Sequence, residues 1–151
     1  MTSIINFYRE RDAYGFMSNF YRAPIDLDGR IWPTTEHYFQ AMKFETTDPE
    51  AVEKVRLVKC PGEAAREGRK RSNPLRSDWE QIKDDIMRKC LMAKFTQHKE
   101  LAQELIATGD ARLVEHTKND SYWGDGGNGT GRNMLGKLLM ELRSQLQRNM
   151  A

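Results

Sequence analysis

Hydrophobic positions change period along this chain, and the change separates a short β-rich start from a longer helical remainder. Over residues 1–33 the apolar residues come in brief runs. Ile4, Ile5, Phe7 and Tyr8 form one, and Ile25-Asp-Leu-Asp-Gly-Arg-Ile31 alternates around Asp28-Gly29. An Asp-Gly pair between alternating positions predicts a hairpin, because its tight turn needs positive φ angles. Pro33, Thr34 and Thr35 then give a stop followed by N-cap chemistry, which predicts a helix from about Thr35 to Glu45. Asp48-Pro49 opens another helix, with Ala51, Val52, Val55 and Val58 on its apolar face and Pro61-Gly62 as its interruption. Ser77-Asp-Trp-Glu80 has the spacing of a capping box, and Ile82, Ile86, Cys90, Leu91 and Phe95 follow at helical intervals. Leu101 and Leu105 predict a second helix that Gly109 ends, residues 111–117 a short strand, and Gly124 to Gly131 a loop. Met134, Leu135, Leu138, Leu139, Leu142 and Leu146 mark the last helix most clearly.

The fold class predicted by this pattern is mainly α: a compact multi-helical single domain spanning 1–151, with a small N-terminal β portion. Strand and helix do not alternate as in a doubly wound sheet, which disfavours a dinucleotide fold. A chain of this length buries roughly two-thirds of its unfolded surface, so it needs neither disulfides nor a metal to fold.

Charge narrows the function. There are 24 basic and 22 acidic residues, a net charge of +2, which is no signature of nucleic-acid binding through bulk charge. Cys60 and Cys90 are the two cysteines and make no CxxC, so a reducing compartment is expected and a zinc site is not. The amino terminus lacks the apolar run of a signal peptide, and no stretch is long enough to span a bilayer. A cytoplasmic protein without a membrane partner is expected. His37, His98 and His116 have no metal-ligand spacing, and no metal is expected.

Two motifs mislead. Gly124, Gly126 and Gly129 satisfy GxGxxG, but only one helix follows, so no βαβ unit can form. Gly131 to Lys137 imitates a P-loop, yet Leu138 replaces the hydroxyl that would hold magnesium, and the segment reads as amphipathic helix.

Three segments carry polar and aromatic residues in excess of what folding requires. Tyr14 to Phe20 contains Gly15 and the Ser18-Asn19 pair, which could present hydroxyl and amide groups to a ligand or simply cap a turn. Glu36, Gln40 and Lys43 stand at i, i+4 and i+7 on one face of the predicted helix, while Phe39 and Met42 turn toward the core. A carboxylate two turns from an amine suits acid–base or nucleophilic chemistry, or else only a weakly paired surface. Glu115 to Asn133 sets Asp120 and Trp123 before the glycine-rich loop, with Gly124 inside it and Arg132 and Asn133 after it. An aromatic face beside loop N–H groups and added donors suits a planar base with an anionic substituent. A basic cluster of Arg66, Arg69, Lys70, Arg71 and Arg76 offers phosphate contacts or a solvated face.

Several strings, in this order, resemble the YbiA-like, or NADAR, family. They are Ser18-Asn19-Phe20, Glu36-His-Tyr-Phe-Gln-Ala-Met-Lys-Phe44, Asp78-Trp79, Lys94-Phe95, Thr108-Gly109-Asp110, Leu113-Val114-Glu115, Asp120 with Trp123-Gly124, and Gly131-Arg-Asn-Met-Leu-Gly-Lys-Leu-Leu-Met140. The similarity covers nearly the whole chain. It implies a mainly helical fold and N-glycosidase activity without a cofactor. The implied substrates are phosphoribosylamino-pyrimidine intermediates of riboflavin synthesis or ADP-ribose attached to guanine in nucleic acid. By matching position, Glu36, Lys43, Asp120 and Trp123 are the expected catalytic residues. Ser18, Asn19, Gln40, Gly124, Arg132 and Asn133 are the expected ligand-binding ones. A non-catalytic module for ADP-ribose or NAD is the alternative reading.

Overall fold

Four short strands and six α-helices occur among residues 3–150, the part of the chain that a computed structural model describes. In order they are β1 (Ile4–Phe7), β2 (Ile25–Leu27), β3 (Arg30–Trp32), α1 (Thr35–Ala41), α2 (Pro49–Leu57), α3 (Pro61–Arg69), α4 (Trp79–Gln97), α5 (Lys99–Ala107), β4 (Arg112–Glu115) and α6 (Met134–Met150). Single turns of 3-10 helix lie at Gly15–Met17 and Met42–Phe44. The fold is mainly α, as the periodicity predicts. Residues 1, 2 and 151, included above in the β-rich start and the single domain, lie outside the described residues. The chain divides into two units, one of residues 22–94 and one that combines the flanking segments.

The 22–94 unit begins with the hairpin. β2 pairs antiparallel with β3, Ile25 opposite Trp32, and the turn residues Asp28 and Gly29 take φ of 56° and 77°. Trp32 is fully buried, its indole N–H donating to the Leu27 carbonyl at 2.9 Å. The Tyr38 ring meets it edge-on at 5.0 Å, and the Tyr38 hydroxyl donates to Asp28 at 2.7 Å. Thr34 caps α1 by accepting from the His37 N–H, and every residue of α1 is buried. His37 is structural: Nδ1 meets the Thr34 hydroxyl at 2.8 Å and Nε2 lies 3.1 Å from the Val58 carbonyl. Burial pulls its pKa below the ordinary histidine value. Asp48 caps α2, accepting from Glu50 and Ala51, and Ala51, Val52 and Val55 are buried beneath it.

Two sequence expectations need adjustment in this unit. Pro61-Gly62 does interrupt α2, but Pro61 is also the first turn of α3, a helix the apolar pattern did not reveal. Its buried residues are Ala64, Ala65, Glu67 and Gly68; the small ones let backbones approach, and none contributes much hydrophobic signal. The capping box is displaced as well. α4 starts at Trp79, and the Asp78 carbonyl accepts the first helical bond from the Ile82 N–H, so Asp78 rather than Ser77 occupies the cap position. Arg76 fixes the Asp78 carboxylate there at 2.7 Å. Along α4, Met87, Cys90 and Leu91 are buried and Ile82 and Ile86 half-buried.

In the other unit β1 pairs with β4 in parallel, Ile4 opposite Arg112 and Phe7 opposite Glu115. Phe7, Leu113 and Val114 are buried, as are Leu135, Leu138, Leu139 and Leu142 of α6. Asn133, at φ 52°, fastens the start of α6 to β4: its side-chain amide donates to the Leu113 carbonyl at 2.9 Å and accepts from the Glu115 N–H at 3.0 Å. Arg143 ties the helix to the turn after α5, donating to Thr108 at 2.9 Å and to the Ala111 carbonyl at 2.8 Å. Among the described residues no helix is long and apolar enough to cross a membrane, and no group of His, Cys, Asp and Glu is arranged to hold a metal ion.

Candidate active site

The face of α1 brings together the three residues that its spacing singled out. Glu36 and Gln40 are 8% and 7% exposed, deep for polar side chains, and Gln40 Nε2 donates to Glu36 Oε2 at 2.8 Å. That bond fixes the carboxylate from one turn along the helix. Lys43 continues the row from the 3-10 turn after α1 and is half-buried. Its ammonium donates to the Gly68 carbonyl at 3.3 Å and lies 6.0 Å from the centre of the Trp79 ring. Gly68 is in the last turn of α3, whose terminal carbonyls lack helical partners and carry partial negative charge. Burial lowers the Lys43 pKa below the ordinary lysine value; the Glu36 carboxylate opposes the shift, and Arg69 and Lys83 add to it. An amine so placed is neutral more often than a surface lysine, with an oriented carboxylate close by. This arrangement can supply both a nucleophile and a base.

The segment 115–133 is organised by its own side chains. Asp120 Oδ1 accepts from the Tyr122 and Trp123 N–H groups at 2.9 and 2.8 Å, and the Asp120 carbonyl accepts from Gly126 at 3.1 Å. Tyr122 and Trp123 meet edge-to-face at 4.9 Å, and the Arg132 guanidinium lies 4.9 Å over the Tyr122 ring. The buried Gly124 gives its carbonyl to the Asn133 N–H at 2.9 Å. Asn133 has both ends of its amide engaged on β4. Ser18 and Asn19 are buried, and the Ser18 hydroxyl accepts from the Phe20 N–H at 3.0 Å.

The expected site residues therefore fall into two sets. Glu36, Gln40 and Lys43 share one face in the 22–94 unit. Asp120, Trp123, Gly124, Arg132 and Asn133 are joined through their loop in the other unit, which also holds Ser18 and Asn19.

The basic cluster does not act as a block. Arg76 is buried and serves as a clamp, donating to Asp78, Glu45 and the Met42 carbonyl. Lys70 is paired with Glu67 at 2.6 Å. Arg66, Arg69 and Arg71 are exposed and make no ion pair among the described residues.

Three residues carried no sequence signal for their place. Asp125 is buried at the base of the glycine-rich loop, accepting from Thr117 at 3.1 Å and Gly127 at 2.8 Å and meeting His116 Nδ1 at 2.8 Å. Burial alone would raise its pKa, but the hydrogen bonds from His116, Gly127 and Thr117 hold it below the ordinary aspartate value. Lys94 is 1% exposed, and burial pulls its pKa down to about 7. Gly68 approaches α1 closely enough to touch the Gln40 side chain. Asp125 lies within the segment 115–133 and Lys94 within the string Lys94-Phe95, but nothing local marks either for burial, and nothing local distinguishes Gly68.

Comparison with known proteins identifies the family. The family model described as the NADAR domain matches residues 6–147. The chain belongs to the NADAR family. It is 60% identical over 144 residues to N-glycosidase YbiA of Shigella boydii, covering 95% of this chain and 89% of that protein. A riboflavin biosynthesis protein of Vibrio vulnificus is 43% identical over 97% of this chain, which spans 40% of that longer protein. The NMR structure of Escherichia coli YbiA superposes with a TM-score of 0.90 at 57% identity, covering 99% of this chain and 89% of that one. At this level of identity across nearly the whole NADAR chain, the enzymatic class carries over: it is an N-glycosidase.

Proposed function

We propose that this enzyme hydrolyses the bond between a ribose C1′ and the exocyclic or ring nitrogen of a base, in the cytoplasm, with 1–151 as one functional domain. The substrates proposed are phosphoribosylamino-pyrimidines, supported by the riboflavin biosynthesis relatives, and ADP-ribose on guanine in nucleic acid. The reading rests on the Glu36–Gln40–Lys43 face, where a buried, oriented carboxylate lies near an amine whose pKa burial has lowered.

The neutral Lys43 amine attacks C1′, and the C1′–N bond breaks. The departing nitrogen takes the proton that Lys43 sheds as it becomes bonded to carbon. Ring opening to the iminium places one proton from water on O4′, and hydrolysis of the iminium returns it. Glu36 supplies negative charge opposite the cation-like carbon and takes a proton from the attacking water. Lys43 is then released as an amine. Trp123 offers a flat face for the base, Arg132 exposed donors for an anionic group, and Asp120 a second carboxylate on its own loop. Ser18, Asn19, Gln40, Gly124 and Asn133 are proposed as further ligand-binding residues, each within its own unit.

The test is release of free base from phosphoribosylaminouracil and from ADP-ribosylated guanine at equal enzyme. Turnover of at least one is expected, with Lys43 trapped as a reduced adduct by borohydride. Glu36→Gln and Lys43→Met should each lose at least about 100-fold in kcat, the lower range of general acid–base contributions. Base release from neither compound, or full turnover by both variants, removes the proposal.

A further inference from the structure

Helix α3 packs against α1 through Gly68, and the contact falls on the side chain that orients Glu36. A β-carbon at position 68 would overlap Gln40 Oε1 and come within 2.7 Å of its Cδ and 3.0 Å of its Cβ. Gln40 reaches Glu36 only because position 68 has no side chain. Its amide is not free to turn over, since Nε2 must face the Glu36 carboxylate to donate at 2.8 Å. That orientation presses Oε1 against the α3 backbone, where it is buried without a conventional hydrogen-bond partner. An unsatisfied buried acceptor is costly, and the fold retains it in this position. The same residue of α3 also holds the other reactive group, since the Gly68 carbonyl accepts from Lys43 Nζ at 3.3 Å. One residue outside the α1 face thus touches both the side chain that aims the carboxylate and the amine itself.

We infer that Gly68 is a positioning residue for the glycosidase reaction: its bare α-carbon sets the Gln40 amide on Glu36 while its carbonyl holds Lys43. The inference rests on the assignment of Glu36 and Lys43 to the chemistry. Gly68→Ala tests it well, because the overlapping atoms belong to a flexible side chain that can swing aside, and alanine is the better helix former even in the last turn of α3. The protein is expected to fold with Gln40 displaced from Glu36. Loss of a hydrogen bond to a charged group should lower kcat by about 10- to 100-fold. KM should change little, because no substrate contact is removed.

A double-mutant cycle separates positioning from general damage. Gln40→Ala should show the same loss as Gly68→Ala, and the double variant should be no slower than either single one, because both remove one interaction. Wild-type kcat in a folded Gly68→Ala protein overturns the inference. So do losses that multiply in the double variant, or a loss that tracks a fall in melting temperature. Should Gly68→Ala fail to fold, full kcat in Gln40→Ala overturns it equally. These outcomes are distinct from failure of the catalytic assignment, which shows as full turnover in Glu36→Gln and Lys43→Met.

Discussion

Removing the Arg76 guanidinium is expected to loosen the segment that carries Lys43. Arg76 is 9% exposed and bonds the Met42 carbonyl at 3.2 Å through its side chain, while its backbone N–H donates to the Lys43 carbonyl at 3.0 Å. It also meets Glu45 at 3.2 Å and Asp78 at 2.7 Å, but those carboxylates are about half exposed, and water screens both pairs. The cost therefore comes mainly from the buried carbonyl and the buried stem. The Met42 carbonyl keeps the Glu45 N–H as a donor at 3.4 Å, so losing the charged donor costs about 1–2 kcal/mol. Deleting two buried methylenes costs about 0.8 kcal/mol each. Arg76→Ala should thus destabilise by about 3 kcal/mol, which for a domain of this size lowers Tm by roughly 6–12 °C. Thermal melts followed by far-ultraviolet circular dichroism measure the shift, and kcat at a temperature well below it reports on Lys43. Arg76→Lys should recover only part of the loss, because a point charge cannot reach three partners as the planar guanidinium does. A Tm within 2 °C of the parent protein would refute the clamp. It would return Arg76 to the phosphate-binding cluster, especially if added inorganic phosphate stabilised the parent and not the variant.

Lys94 should give an unusual pH dependence of stability. Its pKa in the fold, about 7, is below its unfolded value, so the unfolded state binds more protons between these values and stability rises with pH there. The penalty is fully present below pH 7. Between pH 7 and 8.5, before the Cys90 thiol that burial pushes up to about 12 begins to act in the opposite sense, urea titrations should show stability climbing by up to about 1.4 kcal/mol per pH unit. Lys94→Met should remove most of the slope, leaving what Lys43, also lowered by burial, adds in the same sense; an unchanged slope sinks the assignment. Removing the Arg69 charge, which lowers the Lys43 pKa, should raise it. If the neutral amine is the reactive form, the rising limb of the pH–rate profile in Arg69→Gln moves to higher pH; movement to lower pH contradicts the sign. Asp120→Asn keeps an oxygen to accept from Tyr122 and Trp123, so Tm should hold within about 2 °C. A loss of kcat of about 100-fold at unchanged Tm would mark Asp120 as chemical, whereas full activity would leave it the organiser of its turn.

Much of this molecule is legible in the order of its residues, because the information is local. Positive φ at Asp28-Gly29, capping by Asp48, the leucine face of α6 and the row Glu36, Gln40, Lys43 all depend on spacings of a few residues, and each is present in the fold. The family strings likewise required only their order along the chain. Tertiary structure alone decided the rest. The parallel pairing of β1 with β4 joins residues more than a hundred positions apart, and nothing in either short strand names its partner. Helix α3 was hidden because its buried residues are alanine, glycine and one glutamate, which give close approach rather than hydrophobic area. Arg76 and Lys94 look like any surface cation in sequence, yet burial makes one a clamp and neutralises the other near physiological pH. Gly68 has no side chain to mark it, and only the packing of α3 on α1 turns that absence into a constraint on Glu36. Periodicity reports what a residue must do for its own helix or turn, whereas desolvation and contact depend on what the rest of the chain brings against it.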